Sequence, residues 1–550
     1  MKARWLSLLL VPALAMAVAA PAVSGSDVRI TNDQTGTYLR YDGGTDASMA
    51  GCSTGRRPQN EPSVAIDPTN PQIVVAGSND YCRQTVGGDV WTGYYRSIDG
   101  GVNWSLSLVP GYPGDTSSAG RASPVNGQCE AAGDPTQAFD AEGRLFYAFI
   151  CFNRLKPTNG SVYAATYGDH GATYIRTVRI ASGTPSVWGL FQDKINLTVD
   201  PSNGNVYVVW GRYSGQSANN VLYFSRSTDH GASFSGPIRL APGLAEEQFG
   251  DVAVGPDGNV YVTFVTSAIQ TPTEAAVWLV RSTDQGLHWS DPVQVAGIDP
   301  FDSNEFSGNG FRDCGDGPFS CPSRYTYSRF ASLSAVVADA SGVHVVWNEQ
   351  TATGQSKVFV RNSTNGLAWT IPPVQMDTEP TGHQFWPDIA SAGGMISVVF
   401  SDSRGDPGYA GDRPPGNTAI GVNSGNVINA YVAQSATGAA PWTEIKVSGE
   451  GSNYGWETHG SRRVGFWGDY NYISAVPGVV FAVWTDSRNL VPGTDPRETG
   501  ADDDMDNFDV FQPCLYEPND INAPSYTSPQ IQDPCLSQGG LDQNVYGARL

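Results

Sequence analysis

Ser97-Ile98-Asp99-Gly100-Gly101-Val102-Asn103-Trp104 is a turn that recurs along the chain. The same S-x-D-x-G-x-x-aromatic spacing stands at Ser227–Phe234 and Ser282–Trp289. Looser copies run from Tyr167 to Tyr174, Asn362 to Trp369 and Ser435 to Trp442, and successive starts lie 55 to 80 residues apart. Such self-similarity marks a repeat architecture. In a turn of this kind the Asp accepts backbone N–H groups and the Gly takes a left-handed conformation. Asp99, Asp229 and Asp284 therefore read as structural, and the box histidines His170, His230 and His288 as surface residues.

Upstream of each box lies an apolar strand, a turn often written D-P-x-x-G, and a β-branched and aromatic strand. Examples are Val64–Ala76, Leu197–Trp210, Val252–Phe264 and Val336–Trp347; Gln137–Phe149, Ile389–Phe400 and Tyr472–Trp484 complete seven. Alternation with turn residues between makes each an antiparallel hairpin. A third strand ends at the box and a fourth follows it. Radial repetition of four-stranded antiparallel sheets predicts an all-β fold, a β-propeller of seven blades, or six if one hairpin is an insertion. The last repeat shows three strands, ending at Asn544–Arg549. Val28–Thr31 or Tyr38–Tyr41 is expected to supply the fourth, closing the ring without an open edge.

Of 550 residues, 54 are acidic and 32 basic, a formal charge of −22, and only five are Lys. Phosphate binding needs a basic stripe, so nucleic acid is excluded as a partner, and anionic membranes are disfavoured. Lys2 and Arg4, the apolar run Trp5–Ala20 and small residues to Ser26 read as a secretory signal peptide over 1–25. That leaves 26–550 as one secreted domain, expected to be a monomer. No later run is long enough to insert in a membrane. Eight Cys in an exported chain read as disulfides. Antiparallel first and second strands put Cys52 and Cys82 on one face, and likewise Cys129 and Cys151. Neighbour pairing, with Cys314–Cys321 and Cys514–Cys535, would staple the loops of that face.

Carboxylates gather where first strands begin: Glu61, Asp134, Asp193, Asp251, Asp388 and Asp469. On a closed disc they would ring the mouth of a central channel. Like charges so placed raise one another's pKa unless a cation intervenes. The alternative is that each carboxylate caps its neighbour's backbone N–H groups. Asp502, Asp504 and Asp506, spaced i, i+2, i+4, open like a Ca²⁺ loop. Asn507 and Pro513 then break the EF-hand pattern, so the choice is a structural Ca²⁺ site or a solvated acidic loop, and no other cofactor is called for. Gly51-Cys52-Ser53-Thr54-Gly55 matches G-x-S-x-G, but in a loop rather than at a strand-to-helix elbow. His383 and His459, ahead of the sixth and seventh hairpins, are candidate bases.

The boxes resemble the Asp-box repeats of the sialidase superfamily, over most of residues 60 to 550. That resemblance implies a glycoside hydrolase acting on terminal sugars of extracellular glycans. It also implies arginines that hold a sugar carboxylate bidentately, a Tyr–Glu nucleophile pair and an acid/base Asp. Carried over by position, Asp89 takes the acid/base role, with Asp80 beside it; Tyr327 (or Tyr325) is the nucleophile and Glu349 its partner. Arg83, Arg212, Arg404 and Arg488 bind substrate, with Arg154 in an equivalent place. The chain departs from the pattern at Asn60, where the family's first arginine should open the first blade; Arg56 and Arg57 lie just upstream. Arg404 and Arg488 sit in twin D-S-R motifs, and a residue repeated blade by blade suits in-blade ion pairs. The competing function is a non-catalytic propeller that binds carbohydrate or protein through the same face; a polysaccharide lyase is a third option.

Overall fold

The computed structural model describes residues 27–32, 36–53, 58–153, 159–184, 189–214, 220–266, 275–300, 332–377, 379–407, 409, 411, 427–452, 467–489 and 543–550. They form an all-β structure of four-strand antiparallel runs, numbered here in chain order. Run one is Gln59–Ile66, Val74–Asp80, Trp91–Ser97 and Ser105–Leu108. Run two is Ala131–Phe139, Leu145–Asn153, Asn159–Gly168 and Thr173–Ala181. Run three is Leu190–Val199, Val206–Ser214, Asn220–Ser227 and Ile238–Arg239. Run four is Glu247–Val254, Val260–Thr266, Ala276–Ser282 and Val293–Gly297. Run five is Ser334–Asp339, Gly342–Gln350, Ser356–Ser363 and Val374–Gln375. Run six is Gln384–Ala392, Met395–Asp402, Asn429–Ser435 and Thr443–Lys446. Run seven is Tyr472–Val476, Val479–Asp486 and Asn544–Arg549, and its fourth strand is Val28–Arg29 from the other end of the chain. Of the two expected donors the first is used; Tyr38 instead bridges to Leu106 of run one. Runs two and three merge into one eight-stranded sheet through the parallel pair Phe191 and Gly160.

Second strands carry the β-branched and aromatic residues that fit a surface packed on both sides. Val206-Tyr-Val-Val-Trp210 is wholly buried. The apolar clusters lie between adjacent runs: Phe146 and Ile150 of run two pack with Leu197, Val208 and Trp210 of run three. Phe481 and Val483 of run seven share a cluster with Val64 and Val74 of run one. First strands of consecutive runs adjoin, and that of run seven adjoins run one.

Each full box lies between third and fourth strands. In the first, Gly101 N–H donates to Ser97 Oγ at 2.9 Å, and the amides of Val102 and Asn103 donate to Asp99 Oδ1 at 3.2 and 2.9 Å. The Asn103 amide and then its side chain hold Asp99 down at about 2. The boxes also join runs. Arg96 Nε donates to the carbonyl of His170 in the next run at 3.0 Å, and Arg226 Nη1 to that of Gln285 at 2.6 Å. Arg549 Nη1 of run seven donates at 3.3 Å to Gly100 of run one. All three carbonyls belong to the fourth box position, so the last run meets the first through the bond that joins neighbours. The fifth-run copy is one residue shorter than the sequence spacing suggests. Ser363, not Asn362, takes the serine role, accepting from Gly366 N–H at 3.0 Å, with Asn365 replacing the Asp. Of the box histidines, His288 is a surface residue, 88% exposed in its side chain, whereas His170 is more engaged, its Nδ1 2.6 Å from Asp67 of run one.

Cys52–Cys82 and Cys129–Cys151 are disulfide-bonded as neighbour pairing requires. Cys314, Cys321, Cys514 and Cys535 fall outside the described residues, as does the expected signal peptide. Among the described residues no helix is long and apolar enough to cross a membrane.

Candidate functional site

The first strands share one irregularity. Register breaks at Asn60/Ser63, Gly133/Thr136, Asp193/Asn196, Gln248/Asp251 and Phe385/Asp388, in runs one, two, three, four and six. Within each break one residue is left-handed: Glu61, Asp134, Lys194, Phe249 and Trp386, with φ of 54°, 52°, 50°, 53° and 53°. For non-glycine residues this costs roughly 1–2 kcal/mol apiece, which the surrounding sheet must offset. A bulge re-aims its side chain. Proline follows three of the five (Pro62, Pro135, Pro387), where the ladder is already interrupted.

The six carboxylates anticipated at a channel mouth occupy two layers instead of one ring, because the bulge separates positions only two residues apart. In the outer layer, Glu61, Asp134, Asp193, Asp469 and Lys194 act on one another's charge. Glu61 Oε2 accepts from Asn79 Nδ2 at 2.7 Å, and Asn79 Oδ1 accepts from the Asp134 amide at 2.8 Å. Gly468 (φ 86°) lies against Glu61, where a Cβ would come within 2.3 Å of Glu61 Cγ. Burial, then repulsion by Asp134 and Asp469, raises Glu61 well above the usual carboxyl range. Burial, then Asp193, lifts Asp134 to about 6, against the pull of Glu61 and Lys194. The intervening cation is thus a side chain of the protein. Lys194 Nζ lies 3.7 Å from Asp469 Oδ2 and 3.4 Å from the centroid of the Tyr470 ring.

The inner layer holds Thr136, Asn196, Asp251, Asp388 and Tyr472. Asn196 Nδ2 donates to Asp251 Oδ1 at 2.6 Å. Asp251 Oδ2 accepts the Val336 amide of run five at 2.7 Å, and Asp388 Oδ2 the Ile473 amide of run seven at 2.8 Å. Asp134 Oδ2 likewise accepts the Lys194 amide of run three at 3.3 Å. Capping of the next run's backbone, the alternative to a cation, therefore operates alongside it. Burial lifts Asp251 to about 7, and burial together with Asp251 raises Asp388.

The residues placed by family position that the structure describes have partners of their own. Arg83 is buried with Asp89 nearby, its Nε 3.5 Å from Ser48 Oγ, and burial lowers its pKa. Asp80 accepts from Tyr38 Oη at 2.6 Å and Tyr95 Oη at 2.8 Å. Arg212 lies over the Tyr223 ring at 3.6 Å. Arg404 is bound by Asp402, Glu379 and Glu444 at 2.5, 3.0 and 2.7 Å, over Tyr431. Arg488 is bound by Asp486 and Asp27, both at 2.6 Å, over Tyr546. Glu349 is half-buried, and burial followed by Asp299 lifts it to about 7. Asn60 Nδ2 donates to Gln543 Oε1 at 3.1 Å. His383 is buried, its Nδ1 accepting from the Ser356 amide at 3.1 Å. Ser53 Oγ donates to Met49 O and accepts the Tyr38 amide, so it is occupied in its loop. Tyr325, Tyr327, Arg56, Arg57, Arg154, His459, Asp502, Asp504 and Asp506 lie outside the described residues. Lys194, Asn79, Asn196, Tyr470 and Tyr472 were not anticipated.

No family model and no curated protein matches the chain. Solved structures do show a likeness. A Hadza microbial sialidase is 14% identical, the match covering 80% of this chain and 73% of that one at a TM-score of 0.39. An α-L-arabinofuranosidase from Fusarium graminearum is 13% identical over 63% of this chain and 89% of its own, at 0.40. Trypanosoma rangeli sialidase is 10% identical over 70% and 58%, at 0.41.

Proposed function

We propose that the protein is a secreted, sialidase-like glycoside hydrolase acting on terminal sugars of extracellular glycans. It is a seven-bladed β-propeller closed by Val28–Arg29. Its acid/base centre is the Glu61–Asp134 pair, where the first strands converge. The observation that carries this reading is the burial of two carboxyls, Glu61 and Asp134, on neighbouring strained bulges, both raised by burial and by acidic neighbours. Glycoside cleavage needs a carboxyl that is protonated near neutrality and a second, ionised one across the scissile bond. Glu61 fits the acid and Asp134 the base. In the same reading Tyr327 is the nucleophile, Asp89 and Glu349 assist from the rim, and Arg83, Arg212, Arg404 and Arg488 line it. Asp502, Asp504 and Asp506 hold a structural Ca²⁺ ion. The test is release of 4-methylumbelliferone from a panel of sialic acid, hexose and pentose glycosides. Turnover should fall by about 10²-fold or more in Glu61→Gln and Asp134→Asn. Turnover unchanged in both variants removes the pair from the chemistry.

The second reading, a non-catalytic glycan-binding propeller, is favoured by Arg404 and Arg488 being matched by intrachain carboxylates and by Asn60 in place of arginine. Silence across the panel with binding on a glycan array would establish it.

A further inference from the structure

We propose that the outer edge of Asn544–Arg549 in run seven is a recognition site for an extended segment with the chemistry of Asp27–Thr31, and that it accepts this segment from a second copy of the chain as well as from its own. The proposal is independent of the glycosidase reading. In runs one to six the fourth strand follows the third along the chain, whereas run seven takes Val28–Arg29 from the other end. The ladder itself is short: Val28 pairs with Gly547 and Arg29 with Tyr546. Two pairs are a weak hold, so the side chains on either side of them carry the recognition.

Asp27 supplies the charge. Its Oδ2 accepts from Arg488 Nη2 at 2.6 Å and from the Gly449 amide at 2.8 Å. Arg488 is held over the Tyr546 ring and against Asp486, as Arg404 is held over Tyr431 and against Asp402. In run six this clamp reaches Glu444 of the fourth strand, 2.7 Å from Arg404 Nη2. Asp27 takes in run seven the place that Glu444 takes in run six. Ile30 supplies the shape. It is 1% exposed, and its amide donates to Val545 O at 2.8 Å. A Cβ added at Gly547 would come within 3.0 Å of Ile30 Cδ1 and 2.5 Å of Phe481 Cε1. The bare Gly547 thus leaves a recess for Ile30, closed by the apolar cluster that runs seven and one share. Thr31 Oγ1 accepts the Val545 amide at 3.1 Å and donates to Asn544 Oδ1 at 3.2 Å, an oxygen that also accepts from Arg29 Nε at 2.9 Å. Main-chain pairing with side-chain pockets beside it is how a sheet edge selects an added strand. Every one of these contacts is made by residues 27–31, so the segment carries its own recognition, and continuity with the same chain adds only effective concentration.

The probe is a fluorescein-labelled, N-acetylated peptide of residues 27–32, standing for the segment of a second copy and followed by anisotropy against the full chain. The chain's own segment is displaced in the double variant Asp27→Ala/Ile30→Asp, which removes the carboxylate and puts a charge into the apolar recess. That variant should bind the peptide saturably. Wild type should bind it at least about tenfold more weakly, because its own segment competes at an effective concentration on the order of millimolar. A peptide carrying the same two substitutions should not bind. Adding Arg488→Ala to the variant should weaken the peptide by about tenfold or more, since a hydrogen bond between charged groups is lost. Bound peptide should raise the Tm of the variant and leave that of wild type unchanged. No binding to the folded variant, or equal binding to variant and wild type, would overturn the proposal. So would an affinity that Arg488→Ala leaves unchanged. Should the variant fail to fold alone, the peptide is added during refolding: recovery of the native tryptophan emission supports the site, and no recovery overturns it.

Discussion

The phenol of Tyr472 donates to Asn196 Oδ1 at 2.9 Å, joining the last run to the third across 276 residues of chain. Thr136 Oγ1 of run two donates to the same oxygen at 3.0 Å, and Asn196 Nδ2 continues to Asp251 of run four. One carboxamide thus ties first strands from four runs. Buried polar groups are costly when a partner is removed, roughly 1–3 kcal/mol for each group left unmet. Asn196→Ala removes the acceptor that Tyr472, Thr136 and the Leu197 amide share and one donor to Asp251, leaving Tyr472 and Thr136 only their 3.0 Å contact with each other. Its loss of stability should clearly exceed that of Tyr472→Phe, which removes one donor. Urea midpoints at pH 6 measure the ranking, and equal effects would mean that the shared oxygen is not the tie.

The inner carboxyls give the fold a pH slope of definite sign. Asp251 stands at about 7 in the folded protein because burial disfavours its charge. Its unfolded value is about 3.9, so its contribution is full below pH ~4 and declines as pH rises through 7. Asp251→Asn cannot match both oxygens that accept from Val252, Asn196 and Val336, so it should be less stable than wild type at pH 5. The gap should shrink steadily toward pH 9. A gap constant over that range would show that Asp251 is already ionised at pH 5.

These features differ in how far they could be read from residue types. Hairpins such as Leu197–Trp210 were legible because strand alternation and D-P turns are local properties. The Cys52–Cys82 and Cys129–Cys151 bridges followed from antiparallel order alone. The closing strand could be narrowed to two segments, but Val28–Arg29 and Tyr38–Tyr41 are both short and β-prone, and pairing chose between them. Lys194 was invisible for another reason. Its importance comes from a left-handed bulge, and Lys194-Ile195 lacks the proline that follows Glu61, Asp134 and Trp386. The same unseen bulge makes Asp251 and Asp388 inner groups, while Glu61 and Asp134 are outer ones. A carboxylate's position in sequence could place it on a first strand, but not in a layer.

The D-S-R arginines are expected to report on stability before chemistry. Arg488 is 8% exposed in its side chain and Asp486 1%, with Asp27 as the second acceptor. Removing one member of a buried pair costs roughly 3–5 kcal/mol, because the other charge is left uncompensated. Arg488→Ala should therefore lower Tm and loosen the strand Val28–Arg29 that Asp27 precedes, visible as faster amide exchange at Ile30, whose N–H donates to Val545 O at 2.8 Å. A normal Tm with a raised KM for a glycoside would instead assign Arg488 to substrate.

Gly468 offers the sharpest separation of site from scaffold. At φ 86° it adopts backbone that only glycine takes readily, and a Cβ would lie 2.3 Å from Glu61 Cγ and 2.9 Å from its amide nitrogen. Glu61 cannot retreat freely, since its Oε2 is held by Asn79 and its own φ is 54°. Gly468→Ala should displace the Glu61 carboxyl and disturb its hydrogen bond with Asn79 while leaving the other first strands in place. Turnover of any accepted glycoside should drop about 10²-fold, with an unfolding penalty of roughly 1–3 kcal/mol. Adding Glu61→Gln to Gly468→Ala should cost little more, because both changes disable the same group. Full additivity of the two losses would mean that Gly468 and Glu61 act on different things.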